Sequence, residues 1–235
     1  MKKTIMITGA TDGIGLATAM KLASQGHHLI IHGRNFEKLK SIKEQLLTLP
    51  SSGSVKSYLA DLSQLSEVNF LANEIKSNHE RIDVLINNAG VLTVPQHITP
   101  DGLDVRFSVN TIAPYLLTKE LSPILSETGR VLNLSSAAQS PVDIDALLGK
   151  KEINDMAAYS QSKLAITMWT FGIAKTNKNM TYLAINPGSL LASKMVKEGF
   201  GIAGNDINIG ADILIRLSLE DGISKYSGQY FDNDK

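Results

Sequence analysis

Tyr159 and Lys163 stand four residues apart in Tyr159-Ser160-Gln161-Ser162-Lys163. On a helix that spacing puts both side chains on one face. A phenol beside an ammonium can serve as general acid or base at an oxygen if its pKa is drawn towards neutrality. Tyr115-Leu116-Leu117-Thr118-Lys119 has the same spacing. Only Tyr159 follows a strand-like segment ending in serines, Ser135-Ser136, and the loop behind it. Tyr115 is therefore read as a decoy. A serine hydroxyl at that strand end can orient and polarise a carbonyl. A second chemical feature is Thr8-Gly9-Ala10-Thr11-Asp12-Gly13-Ile14-Gly15. Gly9 permits a sharp exit from a strand, Gly13 lets backbone amides approach a pyrophosphate, and Gly15 lets helix and strand pack closely. The helix amino end then faces the phosphates with unpaired N–H groups. A third is His32-Gly33-Arg34-Asn35, where a guanidinium without a neighbouring carboxylate can pair with a phosphate.

Other chemistries are disfavoured. The chain has no cysteine, which removes disulfides and thiolate sites and fits a reducing compartment. His27, His28, His32, His79 and His97 show no metal-ligand spacing, so no metal is expected; His97 reads as a surface loop residue. Lys+Arg and Asp+Glu both number 23, so no global positive field exists to hold nucleic acid or an anionic membrane. Met1-Lys2-Lys3 is followed by too short an apolar run for a signal peptide, and no stretch is long enough for a membrane span. The expected location is cytoplasmic.

The elements that must position these residues alternate strictly. Thr4–Thr8, His28–His32, Val55–Ala60, Val84–Asn87, Arg130–Leu134 and Thr181–Asn186 read as strands, with a short one at Gly228–Phe231. They are nearly all apolar, as strands covered on both faces are. Ile14–Gln25, Asn35–Leu47, Leu65–Asn78, Leu103–Leu125, Ala157–Asn177 and Ile207–Leu219 read as helices, with Asp61 and Ser63 as starters before Leu65. The expected fold is α/β: a single doubly wound parallel sheet, Rossmann-type, with helices on both faces. Residues 1–235 form one dinucleotide-binding domain in this reading. Gln139–Asp155 and Pro187–Asn205 read as irregular, and both follow strands, so both belong at the carboxyl edge where ligands bind. A substrate loop is expected at about 187–205.

The glycine spacing resembles the TGxxxGIG of the short-chain dehydrogenase/reductase family, and the likeness spans nearly the whole chain. Asn87-Asn88-Ala89-Gly90 is similar to the family's NNAG, Tyr159 to Lys163 to its YxxxK, and Pro187-Gly188 follows the sixth strand as in the family. The resemblance implies an oxidoreductase interconverting a carbonyl compound and an alcohol by hydride transfer. It implies catalytic roles for Asn110, Ser136, Tyr159 and Lys163, with Ser136 favoured over Ser135. Asn110 would hold a water extending the proton path from Lys163. The cofactor would lie against Gly9, Thr11, Asp12, Gly13, Ile14, Gly15, Arg34, Asn35, Asn88, Ala89, Gly90, Pro187 and Gly188, with Asp61-Leu62 at the adenine. NAD-preferring relatives carry an acidic residue where Gly33 stands, so Arg34 argues for NADP(H); Asp12 argues the other way, and NAD(H) stays the alternative. The segment Val142–Leu148 lengthens the path from Ser136 to Tyr159 and resembles the retinol-dehydrogenase-like branch, implying an apolar small-molecule substrate. Met168, Trp169 and Phe171 either pack internally or join a homodimer or homotetramer. Two rivals are a catalytically silent nucleotide sensor on the same scaffold, which would usually lose Tyr159 or Lys163, and an extended-branch epimerase, for which little chain remains after Leu219.

Overall fold

The computed structural model of the chain describes residues 1–233. Seven parallel strands form one sheet in the order β3-β2-β1-β4-β5-β6-β7. They are β1 (Thr4–Ile7), β2 (His28–Gly33), β3 (Val55–Leu59), β4 (Ile82–Asn87), β5 (Leu125–Leu134), β6 (Thr181–Asn186) and β7 (Gln229–Asp232). The order reverses between β1 and β4, which opens a crevice above their carboxyl ends.

The all-apolar strands are explained by burial on both faces. Ile5, Ile7, Leu29, Ile31, Val84 and Ile86 pack with α1 (Gly13–Ser24), α2 (Phe36–Leu47) and α9 (Ile207–Leu219). Their neighbours Met6, Ile30 and Leu85 point the other way, to α3 (Leu65–Asn78), α5 (Ala113–Leu121) and α7 (Asp155–Thr176). Alternate residues of each strand thus feed different layers.

Three sequence expectations are corrected. The helix read over Leu103–Leu125 is α4 (Val105–Phe107), a π turn (Ser108–Ile112) and α5, ending in a 3₁₀ turn (Ser122–Ile124). Pro114 has no amide hydrogen, so the ladder of i+4 bonds is interrupted where the π turn lies. Pro123 likewise stops α5, and β5 starts at Leu125, paired with Ile82 across an irregular step in register. Secondly, Asp61 and Ser63 do not cap α3. Gln64 holds the cap position without a side-chain bond, while the Asp61 carboxylate accepts from the Ser63 amide. Thirdly, the two irregular segments each contain a short helix, α6 (Ile144–Leu147) and α8 (Lys194–Phe200). Among the described residues, no helix is long and apolar enough to cross a membrane.

Candidate active site

The crevice contains a cleft of about 760 Å³ running from Arg34, past the glycine turn and Gly90, to Ser136 and Tyr159. Gly9 and Gly13 adopt left-handed backbone, with φ of 65° and 56°. A Cβ on Gly9 would lie 2.9 Å from the Ala89 Cα, whereas one on Gly13 would meet only Ser193 Cβ at 3.5 Å and Ile207 Cδ1 at 3.8 Å. Gly9 is therefore closed in by β4's exit, whereas at Gly13 a Cβ would make only ordinary van der Waals contacts. Gly15 does not line the cleft. A Cβ there would press on the Gly9 carbonyl and the Asn88 side chain, so its work is packing. Asp12 caps α1, accepting from the Gly13 amide at 2.7 Å.

The segment after β4 holds this turn in shape. The Asn88 side chain donates to the carbonyls of Thr8 (2.9 Å) and Gly9 (3.0 Å), and the Thr8 hydroxyl accepts from the amides of Asn88 and Ala89. Asn88 lines the cleft, but its amide is committed to the protein. His32, to which the sequence reading gave no structural role, does similar work from β2. Its Nδ1 accepts from the Gly9 amide and its Nε2 donates to the Ala60 carbonyl at 3.0 Å. That requires the neutral ring, and burial pushes its pKa down to about 4, which keeps it neutral. Arg34, Asn35, Asp61 and Leu62 line the cleft together with Lys38, which the sequence reading missed. A second cation in the first turn after Asn35 was its only sequence signal.

At the other end, Ser136, Tyr159 and Lys163 share the cleft wall. Ser135 also lines the cleft, but its hydroxyl is engaged by the Lys163 carbonyl (2.8 Å) and Thr167 Oγ1 (2.7 Å). The three residues inside the Tyr–Lys motif each fasten a different piece of chain. Ser160 bonds Ser140, Gln161 accepts from the Asp143 amide, and Ser162 accepts from Asn110 Nδ2 at 3.0 Å. Tyr230 of β7, also missed, donates to the Ser136 carbonyl at 3.0 Å. Nothing in its local sequence marks it, because β7 reaches the site only through the sheet. Tyr115 lies elsewhere, edge-to-face with Trp169 at 5.6 Å.

Burial governs the two titrating groups. It raises the Tyr159 phenol above its usual value, opposed by a hydrogen bond with the Ser136 side chain. It lowers the Lys163 ammonium to about 8. Lys163 Nζ donates to the Leu134 carbonyl at 2.8 Å and lies 5.6 Å from the Tyr159 ring centroid. Desolvation is thus the larger influence on the phenol and the Ser136 hydrogen bond the smaller.

Asn110 departs from expectation in another way. It does not line the cleft. Its side chain is occupied by the Val91 amide and carbonyl and by Ser162. Its backbone carbonyl, however, lacks an i+4 donor, because that residue is Pro114.

Segment 187–205 supplies part of the cleft wall through Pro187–Leu191, Ser193–Val196 and Glu198. Pro187 and Gly188 lie at its root, and a Cβ on Gly90 would come within 3.7 Å of Met195 Cε as well as 3.4 Å of Lys163 Nζ. Helix α8 rests on Leu92, so closely that a Cβ on Gly199 would approach Leu92 Cδ2 to 2.6 Å. Among the described residues, no group of His, Asp and Glu could hold a metal ion.

Residues 3–200 match the family model of the short chain dehydrogenases. The chain belongs to the short-chain dehydrogenase family. It is an oxidoreductase of the retinol-dehydrogenase-like branch of that family. Human retinol dehydrogenase 13 is 32% identical over 254 residues, covering 99% of this chain and 77% of the human protein. Bovine retinol dehydrogenase 12 is 32% identical over 248 residues, covering 99% and 78%. Among solved structures, YwfH, an NADPH dependent reductase involved in bacilysin biosynthesis, aligns with a TM-score of 0.79 at 25% identity, covering 99% of this chain and 96% of that one. A short chain dehydrogenase from Shigella flexneri complexed with NADP gives 0.78 at 26% identity, covering 99% and 97%. Membership brings a nicotinamide cofactor, and the cleft lined by the glycine turn and by the cations Arg34 and Lys38 fits one.

Proposed function

We propose that this protein interconverts an apolar carbonyl compound and its alcohol with NADP(H). The observation carrying the proposal is the convergence of Ser136, Tyr159 and Lys163 on the wall of the cleft that begins at the glycine turn. The bound nicotinamide would supply or accept the hydride. Arg34 and Lys38 would pair with a 2′-phosphate, and no carboxylate stands at Gly33 to repel it. The amides at Gly13 and Ile14 would meet the pyrophosphate once the Asp12 carboxylate yields its bond to Gly13.

In reduction, Ser136 Oγ orients the carbonyl oxygen and Tyr159 delivers the proton to it. A phenol raised by burial is protonated at neutral pH, which suits it to the acid's part. Lys163, charged below about pH 8, stabilises the phenolate left behind and holds the cofactor's ribose. The Asn110 carbonyl, which has no i+4 amide donor because Pro114 stands there, would accept a water on the path from Lys163 to solvent. Leu92, Leu190 and Met195 line the substrate end, which supports an apolar substrate, as do the names of the retinol dehydrogenases. The test is a panel of apolar aldehydes and ketones with NADPH. Turnover is expected, whereas NADPH binding with no turnover on any substrate would favour a nucleotide sensor.

A further inference from the structure

Arg106 is the largest side chain fully removed from solvent, and it is charged. Nothing in the chemistry above uses it. Its guanidinium is almost completely satisfied. Nε and Nη2 donate to the two carboxylate oxygens of Asp104 (2.9 and 2.6 Å), and Nη1 donates to Asp155 Oδ1 at 2.8 Å and towards the Leu92 carbonyl at 3.5 Å. A buried charge is tolerated only with such partners, and its fork geometry fixes them in space.

The positions of those partners matter. Asp104 caps Arg106's own amide and pairs with Ile98 across an isolated β-bridge, so it is anchored. Asp155 is the first residue of α7, four before Tyr159, which is four before Lys163. All three therefore share a helix face. Arg106 is four residues before Asn110. Leu92 lies in the segment beyond Gly90 and carries α8 on its side chain.

The segment Val105–Ile112 and helix α7 are thus tied at two levels. One tie is the ion pair of Arg106 with Asp155, a turn ahead of Tyr159. The other is Ser162, which receives Asn110 Nδ2 at its hydroxyl and Thr111 Oγ1 at its carbonyl (2.6 Å). Tyr159 lies between them. Apart from the Arg106 pair and the weaker His97 contact at 3.6 Å, the start of α7 is held by the Asn154 cap to the Ala157 amide.

We infer that Arg106 is a positioning residue: by gripping Asp155 and the Leu92 carbonyl it sets the register of α7 against the Asn110 segment, and so places the Tyr159 hydroxyl against Ser136. The inference rests on the function proposed above, but its test does not depend on turnover alone.

The perturbation is made at Asp155, because Asp104 keeps the guanidinium neutralised and the fold intact. Asp155→Ala removes the oxygen that Nη1 grips, whereas Asp155→Asn retains one. Asp155→Ala is expected to lower kcat about 10-fold, as small misplacements of reacting groups do. Its NADPH dissociation constant and thermal midpoint should stay near those of the unsubstituted protein, and Asp155→Asn should restore kcat. In parallel, the ¹³Cζ resonance of Tyr159, assigned by its loss in Tyr159→Phe, is titrated with pH. It should move in Asp155→Ala and not in Asp155→Asn. Unchanged kcat and resonance in Asp155→Ala would overturn the inference. So would equal losses in both variants, or a loss that merely tracks cofactor affinity and melting, or failure of Asp155→Ala to fold. If the unsubstituted protein turns over no carbonyl, the proposed function falls, and the Tyr159 resonance still judges the brace.

Discussion

Arg34→Leu should separate the two nicotinamide cofactors. Arg34 is exposed on the cleft wall, which Lys38 also lines, and is proposed to meet the adenosine 2′-phosphate. A charge-assisted hydrogen bond is worth about 1.5–3 kcal/mol, and exposure pulls the value to the lower end. Taking about 1.5–2 kcal/mol, NADPH should bind roughly 10- to 30-fold more weakly. Lys38 remains, so the loss should not be total. NADH has no 2′-phosphate, and its affinity should change less than about twofold, since no phosphate contact is lost. The contrast should shrink at high salt, because the lost pair is solvent-exposed. The assay is fluorescence titration of both cofactors at low and high ionic strength. The reverse design has a structural obstacle. A Cβ on Gly33 would lie 2.6 Å from Thr11 Cγ2, so Gly33→Asp alone should weaken both cofactors, and adding Thr11→Ser should recover NADH binding. Equal loss of NADPH and NADH affinity in Arg34→Leu, or no loss of either, would refute the assignment of Arg34 to the 2′-phosphate.

Three further outcomes are expected. Gly15→Ala should abolish measurable cofactor binding and lower the thermal midpoint, because its Cβ meets the Gly9 carbonyl, a backbone atom that cannot turn aside; calorimetry with and without NADPH checks this. Ser136→Ala should cut kcat by about 10²-fold with little change in melting, while Ser135→Ala should cost about 1 kcal/mol of stability through its lost bonds and spare most of the activity; kinetics and denaturant unfolding on both variants separate the two serines. The third concerns Lys163, whose folded pKa of about 8 lies below its usual 10.5. The unfolded chain binds more protons between these values, so the penalty for burying the ammonium is full below about pH 8 and relieved as pH rises towards 10.5. Stability should therefore rise with pH across that window by up to about 3 kcal/mol, and Lys163→Met should flatten the rise. Chemical unfolding against pH measures it, and an unchanged slope in the variant would remove the buried ammonium from the explanation.

Much of the fold was legible because strands buried on both faces leave an unbroken apolar signature, as in Ile5-Met6-Ile7 and Leu29-Ile30-Ile31. The break near Asn110 was not, because the apolar spacing runs straight through Pro114 and Pro123 and only the missing amide hydrogens interrupt it. The glycine turn could be read since its left-handed backbone demands a residue type. Helices α6 and α8 escaped notice because four- and seven-residue helices have no period to detect. Ser136 could be preferred to Ser135 from the family pattern, but what Ser135 does instead depends on Thr167, a helix away. Arg106 and Tyr230 were invisible for a similar reason. Each acts on a partner 49 or 94 residues distant, and a single arginine or tyrosine in an amphipathic segment carries no local mark of that. The effect of burial on the Tyr159 phenol was not legible, because burial is a property of the packed site.

The central claim is that Tyr159 moves the proton while the glycine turn holds the cofactor. It is tested by single-turnover oxidation of bound NADPH by a reactive apolar ketone in Tyr159→Phe. The rate of nicotinamide oxidation should fall by about 10²- to 10⁴-fold, with the NADPH dissociation constant unchanged. Oxidation at the rate of the unsubstituted protein would contradict the claim.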